Sequence, residues 1–179
     1  VASIMPKLLE YQGKRLLREC GIPVPEGDIA STAKEARQIA EKLQKPVAIK
    51  SQIETTGRFK AGGIKFADNA GEAEKATEEL LGKEIKGLKV EKVLVEEKLP
   101  IAEEFYAGVI VNDSCKVKGP DLIFSTKGGV DIEEVAQKFP EKVASLNIDI
   151  LDGLVIDDVK RLMTKLALPK SLVQPLSAV

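Results

Sequence analysis

The stretch Pro46-Val-Ala-Ile-Lys-Ser-Gln-Ile-Glu-Thr-Thr-Gly-Arg-Phe-Lys-Ala-Gly-Gly-Ile-Lys-Phe66 contains two short apolar segments, 46–51 and 62–66, joined by a polar loop. Segments of this kind around a glycine-containing loop predict two neighbouring β-strands. Lys50 to Gly63 includes three cationic side chains, three hydroxyl side chains and three glycines. A phosphate site needs these groups, because glycine lets backbone amides approach closely and Lys or Arg neutralises the oxygens. The alternative is a plain hairpin with a basic tip, and the residue order does not fit a Walker A loop.

Amphipathic segments on both sides of this stretch predict five helices. The first runs from Lys7 to Cys20 and ends at Gly21. The others begin with residues that can cap free backbone amides, at Thr32, Asn69, Asp131 and Asp157 or Asp158. Apolar segments predict further strands at 93–96, 105–112 and 122–126, of which the last two form a hairpin around a turn at 112–114. This order indicates a two-lobed α+β fold with a boundary between Glu97 and Ala102.

The composition excludes several classes of function. The chain has 179 residues, 44% of them hydrophobic and 31% charged, which is enough to form a core and a solvated surface. A formal net charge of -1 gives no field to hold a polyanion, so nucleic acid is not expected as a partner. No segment approaches the ~20 apolar residues of a membrane span, and Cys20 and Cys115 are expected to be reduced thiols of a cytoplasmic protein.

The sequence contains no histidine, which removes the usual Ser/His and Cys/His pairs and nearly all zinc sites. Lys50, at the end of an apolar strand, can reach nucleotide phosphates or can serve as an edge-strand lysine that blocks aggregation. Glu96 and Glu104 flank the predicted boundary, either as ligands of a nucleotide or as solvated carboxylates. The junction at 125–133 joins a strand to a helix N-terminus, where an anion can bind, although a capped turn is the preferred interpretation.

Several motifs together resemble, in order and spacing, the amino-terminal ATP-grasp domain of the succinyl-CoA synthetase β subunit. The resemblance covers about Leu8 to Val135. It rests on the following segments: Leu8-Leu-Glu-Tyr-Gln-Gly-Lys14, Gly21-Ile-Pro-Val-Pro25, Val47-Ala-Ile-Lys-Ser-Gln52, Gly57-Arg-Phe-Lys-Ala-Gly-Gly-Ile-Lys65, Val93-Leu-Val-Glu-Glu97, Ala102-Glu-Glu-Phe-Tyr106 and Gly128-Gly-Val-Asp-Ile-Glu133.

This resemblance implies an ATP-grasp fold in which ATP or GTP binds between two lobes, 23–99 and 100–179, with the second incomplete. It also implies that helix 1–22 packs on the second lobe. The nucleotide contacts that it implies are Lys50, Gly57 and Arg58 on the phosphates, Glu96 and Leu99 along the adenine, and Glu104 near the ribose. The family phosphorylates a histidine on a partner α subunit or α-like region that carries the CoA site, and then forms an acyl phosphate and an acyl-CoA. The implied location is cytoplasmic, or the mitochondrial matrix in a eukaryote.

The sequence departs from the family pattern in the candidate phosphate loop. The family usually has Gly-Gly-Arg-Gly-Lys where this chain has Thr56-Gly-Arg-Phe-Lys60, and it often has histidines where this chain has Leu9 and Glu54. The Mg²⁺ ligands of the family would lie beyond Val179. We therefore expect an N-terminal portion of a longer ADP-forming acyl-CoA ligase subunit that catalyses nothing alone. The alternatives are a citrate- or malate-CoA ligase or ATP-citrate lyase subunit, a non-catalytic nucleotide-binding module, and a structural dimerisation domain.

Overall fold

The computed structural model describes residues 7–55, 57–113, 119–128 and 132–178, except for the side chain of Glu133. Contacts within the chain divide it into two compact units between Pro100 and Ile101, a point inside the predicted boundary stretch. The first unit contains helices α1 (Glu10–Glu19), α2 (Ala33–Leu43) and α3 (Ala70–Leu80), and strands β1 (Gly27–Ala30), β2 (Val47–Ser51), β3 (Ile64–Ala67), β4 (Glu84–Ile85), β5 (Leu88–Lys89) and β6 (Val93–Glu97).

The first unit is built on a four-stranded antiparallel sheet in the order β1-β6-β2-β3. Helices α2 and α3 bury their alanine-rich faces against this sheet, whose central strands β2 and β6 are almost wholly buried. Both helices begin as predicted: Thr32 accepts a hydrogen bond from the Glu35 amide at 3.2 Å, and Asn69 accepts one from the Glu72 amide at 2.9 Å. The buried apolar side chains hold the ends of β2 and β6 in fixed positions.

The contact between β1 and β6 requires a residue without a side chain at Gly27. A Cβ built at Gly27 would lie 2.4 Å from the Val95 carbonyl oxygen and 2.6 Å from the Glu96 Cα. We predict that Gly27→Ala lowers the free energy of unfolding by about 2–3 kcal/mol, because backbone atoms of a central strand must move. Urea titration measures this loss. Gly71→Ala in α3, where a Cβ would meet only the Asn69 side chain at 3.4 Å, is the control and should be neutral or stabilising. Equal stability of both variants would contradict the prediction.

The second unit contains a three-stranded antiparallel sheet in the order β7-β8-β9, formed by β7 (Tyr106–Asn112), β8 (Gly119–Ser125) and β9 (Val143–Asn147). Its helices are α4 (Ile132–Lys138), a 3-10 turn (Pro140–Lys142), α5 (Ile156–Lys165) and α6 (Lys170–Leu176). The apolar face of α5 packs with Leu122 and Phe124 of β8 in a core of its own. Phe105 stacks on Phe124 with 6.0 Å between ring centroids.

The predicted α+β class is confirmed, as are the first three helices, the pairing of β2 with β3, and the hairpin of β7 and β8. The predicted cap at Asp157 or Asp158 is wrong. Helix α5 begins at Ile156 with Val155 at the N-cap position, and both aspartates lie in its first turn. Carboxylates there are favoured by the helix dipole, which gives the sequence a pattern similar to that of a cap. The predicted cap Asp131 and the turn residue Ser114 lie outside the described residues.

Three sets of strands were not predicted from the sequence. Strand β1 begins with Gly-Asp, residues that are rare in strands, and it forms because the edge of β6 supplies its hydrogen-bond partners. Strand β9 pairs with β8 in the same way. The strands β4 and β5 have two residues each and form a hairpin around Lys86 and Gly87. None of the helices in the described ranges is long and apolar enough to cross a lipid bilayer.

Candidate functional site

Lys50 and Glu96 lie on the neighbouring central strands β2 and β6. In the antiparallel register Lys50 is opposite Leu94, so Glu96 is its diagonal neighbour on the same face of the sheet. The Lys50 Nζ lies 2.7 Å from Glu96 Oε1. The Glu96 residue is only 3% exposed, and a carboxylate this deeply buried needs cationic partners. The sheet therefore fixes one ammonium and one carboxylate side by side.

Helix α1 adds a second ammonium and a second carboxylate to this pair. Lys14 contacts Glu96 Oε2, and Glu10 Oε1 lies 2.9 Å from the Lys14 Nζ and 3.2 Å from the Lys50 Nζ. The helix is also tied to β2 through Gln52, whose side chain accepts a hydrogen bond from the Tyr11 amide at 3.2 Å. It donates one to the Lys50 carbonyl at 2.9 Å. These contacts place α1 on the first unit, and its predicted packing on the second lobe remains a prediction.

Arg58 completes the group from the loop between β2 and β3. Its Nη1 donates to the Ser51 carbonyl oxygen at 2.9 Å, and its Nη2 pairs with Glu10 Oε2. The loop turns tightly, since Gly57 and Gly62 have φ values of +67° and +70° that favour glycine. The Gly63 amide donates to the Arg58 carbonyl at 2.8 Å, and a Cβ at Gly63 would lie 3.0 Å from that oxygen. The Arg58 guanidinium is thus held through both of its terminal nitrogens, Nη1 and Nη2.

We refer to Glu10, Lys14, Lys50, Arg58 and Glu96 as the charge cluster. It contains three cations and two carboxylates and so has an excess of one positive charge. Burial lowers the pKa of Lys14 from its ordinary value, opposed by the hydrogen bond to Glu96. Burial also lowers the pKa of Arg58, opposed by the charge of Glu96. Partly desolvated cations in excess over their counter-ions are suited to binding a further anion.

Two more lysines lie beside the loop, from a part of the chain that sequence reasoning did not connect with it. The Nζ of Lys86, in the turn of the β4–β5 hairpin, lies 3.4 Å from where a Cβ would stand at Gly57. The Nζ of Lys83, just before β4, lies 3.4 Å from where a Cβ would stand at Gly62. The hairpin is anchored by Ile85, which is 3% exposed and reaches beneath Gly63. The loop therefore lies in a cationic surrounding that extends beyond its own sequence.

The remaining predicted contacts lie outside the charge cluster. Leu99 follows β6 and is 49% exposed. Glu104 belongs to the second unit, where its carbonyl oxygen accepts a hydrogen bond from the Gly128 amide at 2.9 Å. A Cβ at Gly128 would lie 2.8 Å from the Glu104 carbonyl carbon, so this glycine permits a close approach of two backbone segments. This contact agrees with the preferred structural interpretation of the junction at 125–133. Glu104 lines a surface cavity of about 440 Å³ together with residues 126–128.

The described residues show no cluster of metal-ligating side chains. Among them no group of three or more His, Cys, Asp or Glu side chains is arranged to hold a metal ion. The two carboxylates of the charge cluster are both engaged with cations, which does not fit the oxygen-rich, anionic ligand set that Mg²⁺ prefers. The donor set of the cluster fits phosphate oxygens instead.

Residues 7–179 match the profile of a family described as the ATP-grasp domain. The chain belongs to the ATP-grasp family. This ATP-grasp domain is 50% identical over 144 residues to the β subunit of succinate-CoA ligase [ADP-forming] from Methanocaldococcus jannaschii, covering 80% of this chain and 38% of the relative. It is also 50% identical over 142 residues to the β subunit of succinate-CoA ligase [GDP-forming] from Thermus thermophilus, covering 79% of this chain and 37% of the relative.

A solved structure supports the fold. A protein from Candidatus Korarchaeum cryptofilum named ACD1, in complex with coenzyme A, superimposes on this chain with a TM-score of 0.71 at 21% identity. The superposition covers 96% of this chain and 75% of that chain. The expected ATP-grasp fold is thereby confirmed. The ATP-grasp domain spans less than half the length of the two ligase subunits described above, so their complete activity concerns more than these residues.

Sequence reasoning missed Glu10 and Lys14 as members of the site. Both residues lie in the opening motif of the ATP-grasp resemblance, and their spacing of four puts them on one face of α1. That spacing is the signal that could have identified them as a pair. Their connection with Lys50 and Glu96 depends on how α1 folds back on the sheet, which no local pattern in the sequence specifies.

Proposed function

We propose that this chain is the nucleotide-binding ATP-grasp portion of an ADP-forming acyl-CoA synthetase of the succinate-CoA ligase β-subunit type. The observation that carries the proposal is the charge cluster beside a glycine loop, in a chain half identical to subunits of that name. In this proposal Lys50, Gly57 and Arg58 bind the nucleotide phosphates. Glu96 orients Lys50 and precedes Leu99 along the adenine, and Glu104 binds the ribose.

The chemistry of the charge cluster supports phosphate binding rather than covalent catalysis. Lys50 and Arg58 present N–H donors that match phosphate oxygens, and both are held by hydrogen bonds or ion pairs within the first unit. Such preorganised cations stabilise the charge of a bound polyphosphate and of a phosphoryl group in transfer. The relatives include both ADP-forming and GDP-forming enzymes at equal identity, so the proposal includes ATP or GTP as the nucleotide.

The proposed enzyme requires a partner. The relatives are named β subunits, which supports an α subunit, or an α-like region, that carries the CoA site and the phosphohistidine. The 179 residues contain no histidine, so a histidine phosphorylated during the reaction lies outside this sequence. The Mg²⁺ ligands are likewise proposed to lie outside it. A cytoplasmic location, or the mitochondrial matrix in a eukaryote, remains part of the proposal.

The test is CoA-dependent release of ADP by the complete enzyme with succinate, malate or citrate as the acid. We expect succinate to support faster release than the other two acids, because the relatives at 50% identity are named succinate-CoA ligase subunits. This chain alone should bind nucleotide and release no ADP. Release with citrate or malate in preference to succinate would favour the other ligases of the superfamily. Turnover by this chain alone would contradict the proposed division of labour.

A further inference from the structure

The carboxylate of Glu10 contacts all three cations of the charge cluster. Its Oε1 lies 2.9 Å from the Lys14 Nζ and 3.2 Å from the Lys50 Nζ, and its Oε2 pairs with Arg58. Lys50 and Arg58 are the side chains that the proposed function assigns to phosphate. Glu10 therefore contacts the same cations that would bind an incoming phosphate.

The hydrogen-bond donors of the cluster are largely engaged. The Lys50 ammonium has three N–H donors, of which one faces Glu96 at 2.7 Å and another faces Glu10 at 3.2 Å. The Arg58 guanidinium donates a hydrogen bond to the Ser51 carbonyl through Nη1, and its Nη2 forms an ion pair with Glu10 Oε2. A phosphate oxygen that approaches either cation meets a carboxylate at close range, and like charges at that distance repel strongly where water is partly excluded.

Of the two carboxylates, Glu10 is the one able to withdraw. Glu96 is buried on the central strand β6, whose backbone pairs with β1 on one side and with β2 on the other. The Glu10 side chain is 20% exposed, is the first residue of α1, and lines a cavity of about 460 Å³ with Glu54 and Gly57. The cavity gives the side chain room to turn away, while Lys14 and Gln52 keep α1 on the sheet.

We propose that Glu10 is an internal counter-ion that neutralises Lys50 and Arg58 in the empty site and must release them when nucleotide phosphates bind. This inference rests on the proposed function, since it names a competitor at the same site. Glu10 thereby reduces nucleotide affinity and keeps the cations in place before the nucleotide arrives. Binding of the phosphates is coupled to a change in the first turn of α1.

The test compares Glu10→Gln with Glu19→Gln by calorimetric titration with ATP in the presence of Mg²⁺. Glu19 is the matched control, because it also lies on α1 in an i,i+4 pair, at 3.1 Å from Arg15, and is 58% exposed. We expect Glu10→Gln to lower the Kd for ATP at least about fivefold and Glu19→Gln to leave it unchanged. An equal or higher Kd for Glu10→Gln overturns the inference.

A second measurement detects the release of Lys50 and Arg58 by Glu10. In the wild-type chain we expect saturating ATP to speed hydrogen exchange at the Gly13 amide, which bonds to the Leu9 carbonyl in the first turn of α1. The Glu10→Gln variant should show no such change. Unchanged or slower exchange in the wild type overturns the inference. If Glu10→Gln does not fold, Glu10→Asp replaces it in the test. Aspartate keeps the charge but is one methylene shorter, and it should lower the Kd for ATP by less than the roughly fivefold change expected of Glu10→Gln.

The outcomes separate this inference from the proposed function. If the wild-type chain binds ATP and Glu10→Gln gains no affinity, only the role of Glu10 is overturned. If neither chain binds ATP while circular dichroism shows both to be folded, the proposed function is overturned and the role of Glu10 with it.

Discussion

Replacing Lys50 by alanine is expected to raise the Kd of this chain for MgATP by about thirtyfold. The substitution removes one ammonium that would bind phosphate oxygens, and hydrogen bonds to charged groups are each worth about 1.5–3 kcal/mol. It also leaves the carboxylates of Glu10 and Glu96 facing the site with only Lys14 and Arg58 as partners. The cluster then has no excess of positive charge, so a polyanion is attracted less. Calorimetric titration measures the change.

The sheet offers a matched control for this substitution. Lys45 lies just before β2 and pairs with Glu97 at 2.6 Å, as Lys50 pairs with Glu96 one residue earlier on β6. Lys45→Ala should leave the Kd unchanged, because Lys45 is exposed and lies outside the charge cluster. Arg58→Ala should raise the Kd as Lys50→Ala does. Equal heats of binding for the wild type, Lys50→Ala and Arg58→Ala would show that the phosphates bind elsewhere.

Replacing Glu96 by glutamine is expected to lower the free energy of unfolding by about 3 kcal/mol. Glu96 is the shared partner of Lys14 and Lys50, and without its charge these two ammonium groups face each other across a partly buried space. Without the Glu96 charge, Glu10 alone faces Lys14, Lys50 and Arg58, so the three cations are undercompensated. Removing one member of a buried ion pair in this way costs more than the pair contributes. Burial already lowers the pKa of Lys14, and loss of the Glu96 charge should lower it further. Chemical denaturation measures the stability, and nuclear magnetic resonance of the Lys14 side chain measures the pKa.

Removing both charges of the pair separates this explanation from a simple loss of packing. The double variant Lys50→Met, Glu96→Gln should recover part of the stability lost in Glu96→Gln, because the excess of positive charge around Glu10 is then smaller. Glu97→Gln, on the neighbouring residue with an exposed lysine as its partner, should change stability much less. Additive losses in the double variant would contradict the electrostatic interpretation.

Most of the regular elements could be predicted from local sequence patterns. Thr32 and Asn69 mark helix starts because their side chains satisfy amides three residues later, and the short apolar runs that begin near Val47 and Val93 mark strands. Strand β1 could not be predicted, because its Gly27-Asp28 start opposes strand formation and its pairing with β6 decides its structure. The start of α5 was misplaced because Asp157 and Asp158 stabilise a first turn as well as they would a cap.

Only part of the candidate site could be predicted from the sequence. Lys50, Gly57 and Arg58 lie within nine residues, and their composition fits either a phosphate loop or a hairpin with a basic tip. Glu96 pairs with Lys50 across forty-six residues of sequence, and Glu10 reaches Lys50 from helix α1. Such contacts depend on the register of β2 against β6 and on the position of α1 against the sheet, which are tertiary properties. The family resemblance supplied Glu96 as an adenine neighbour, and the geometry adds that Glu96 is the buried partner of two lysines.

The most direct test of the central claim is a resonance-by-resonance titration of the isotope-labelled chain with ATP, in the presence of Mg²⁺. If the charge cluster binds the phosphates, the Gly57 amide and the Arg58 side-chain Nε–H should shift with one common Kd. The amide of Gly153, in a turn of the second unit, should not shift. Saturable shifts that exclude Gly57 and Arg58, or the absence of any saturable shift, would contradict the account of this chain as a nucleotide-binding domain built on Lys50 and Arg58.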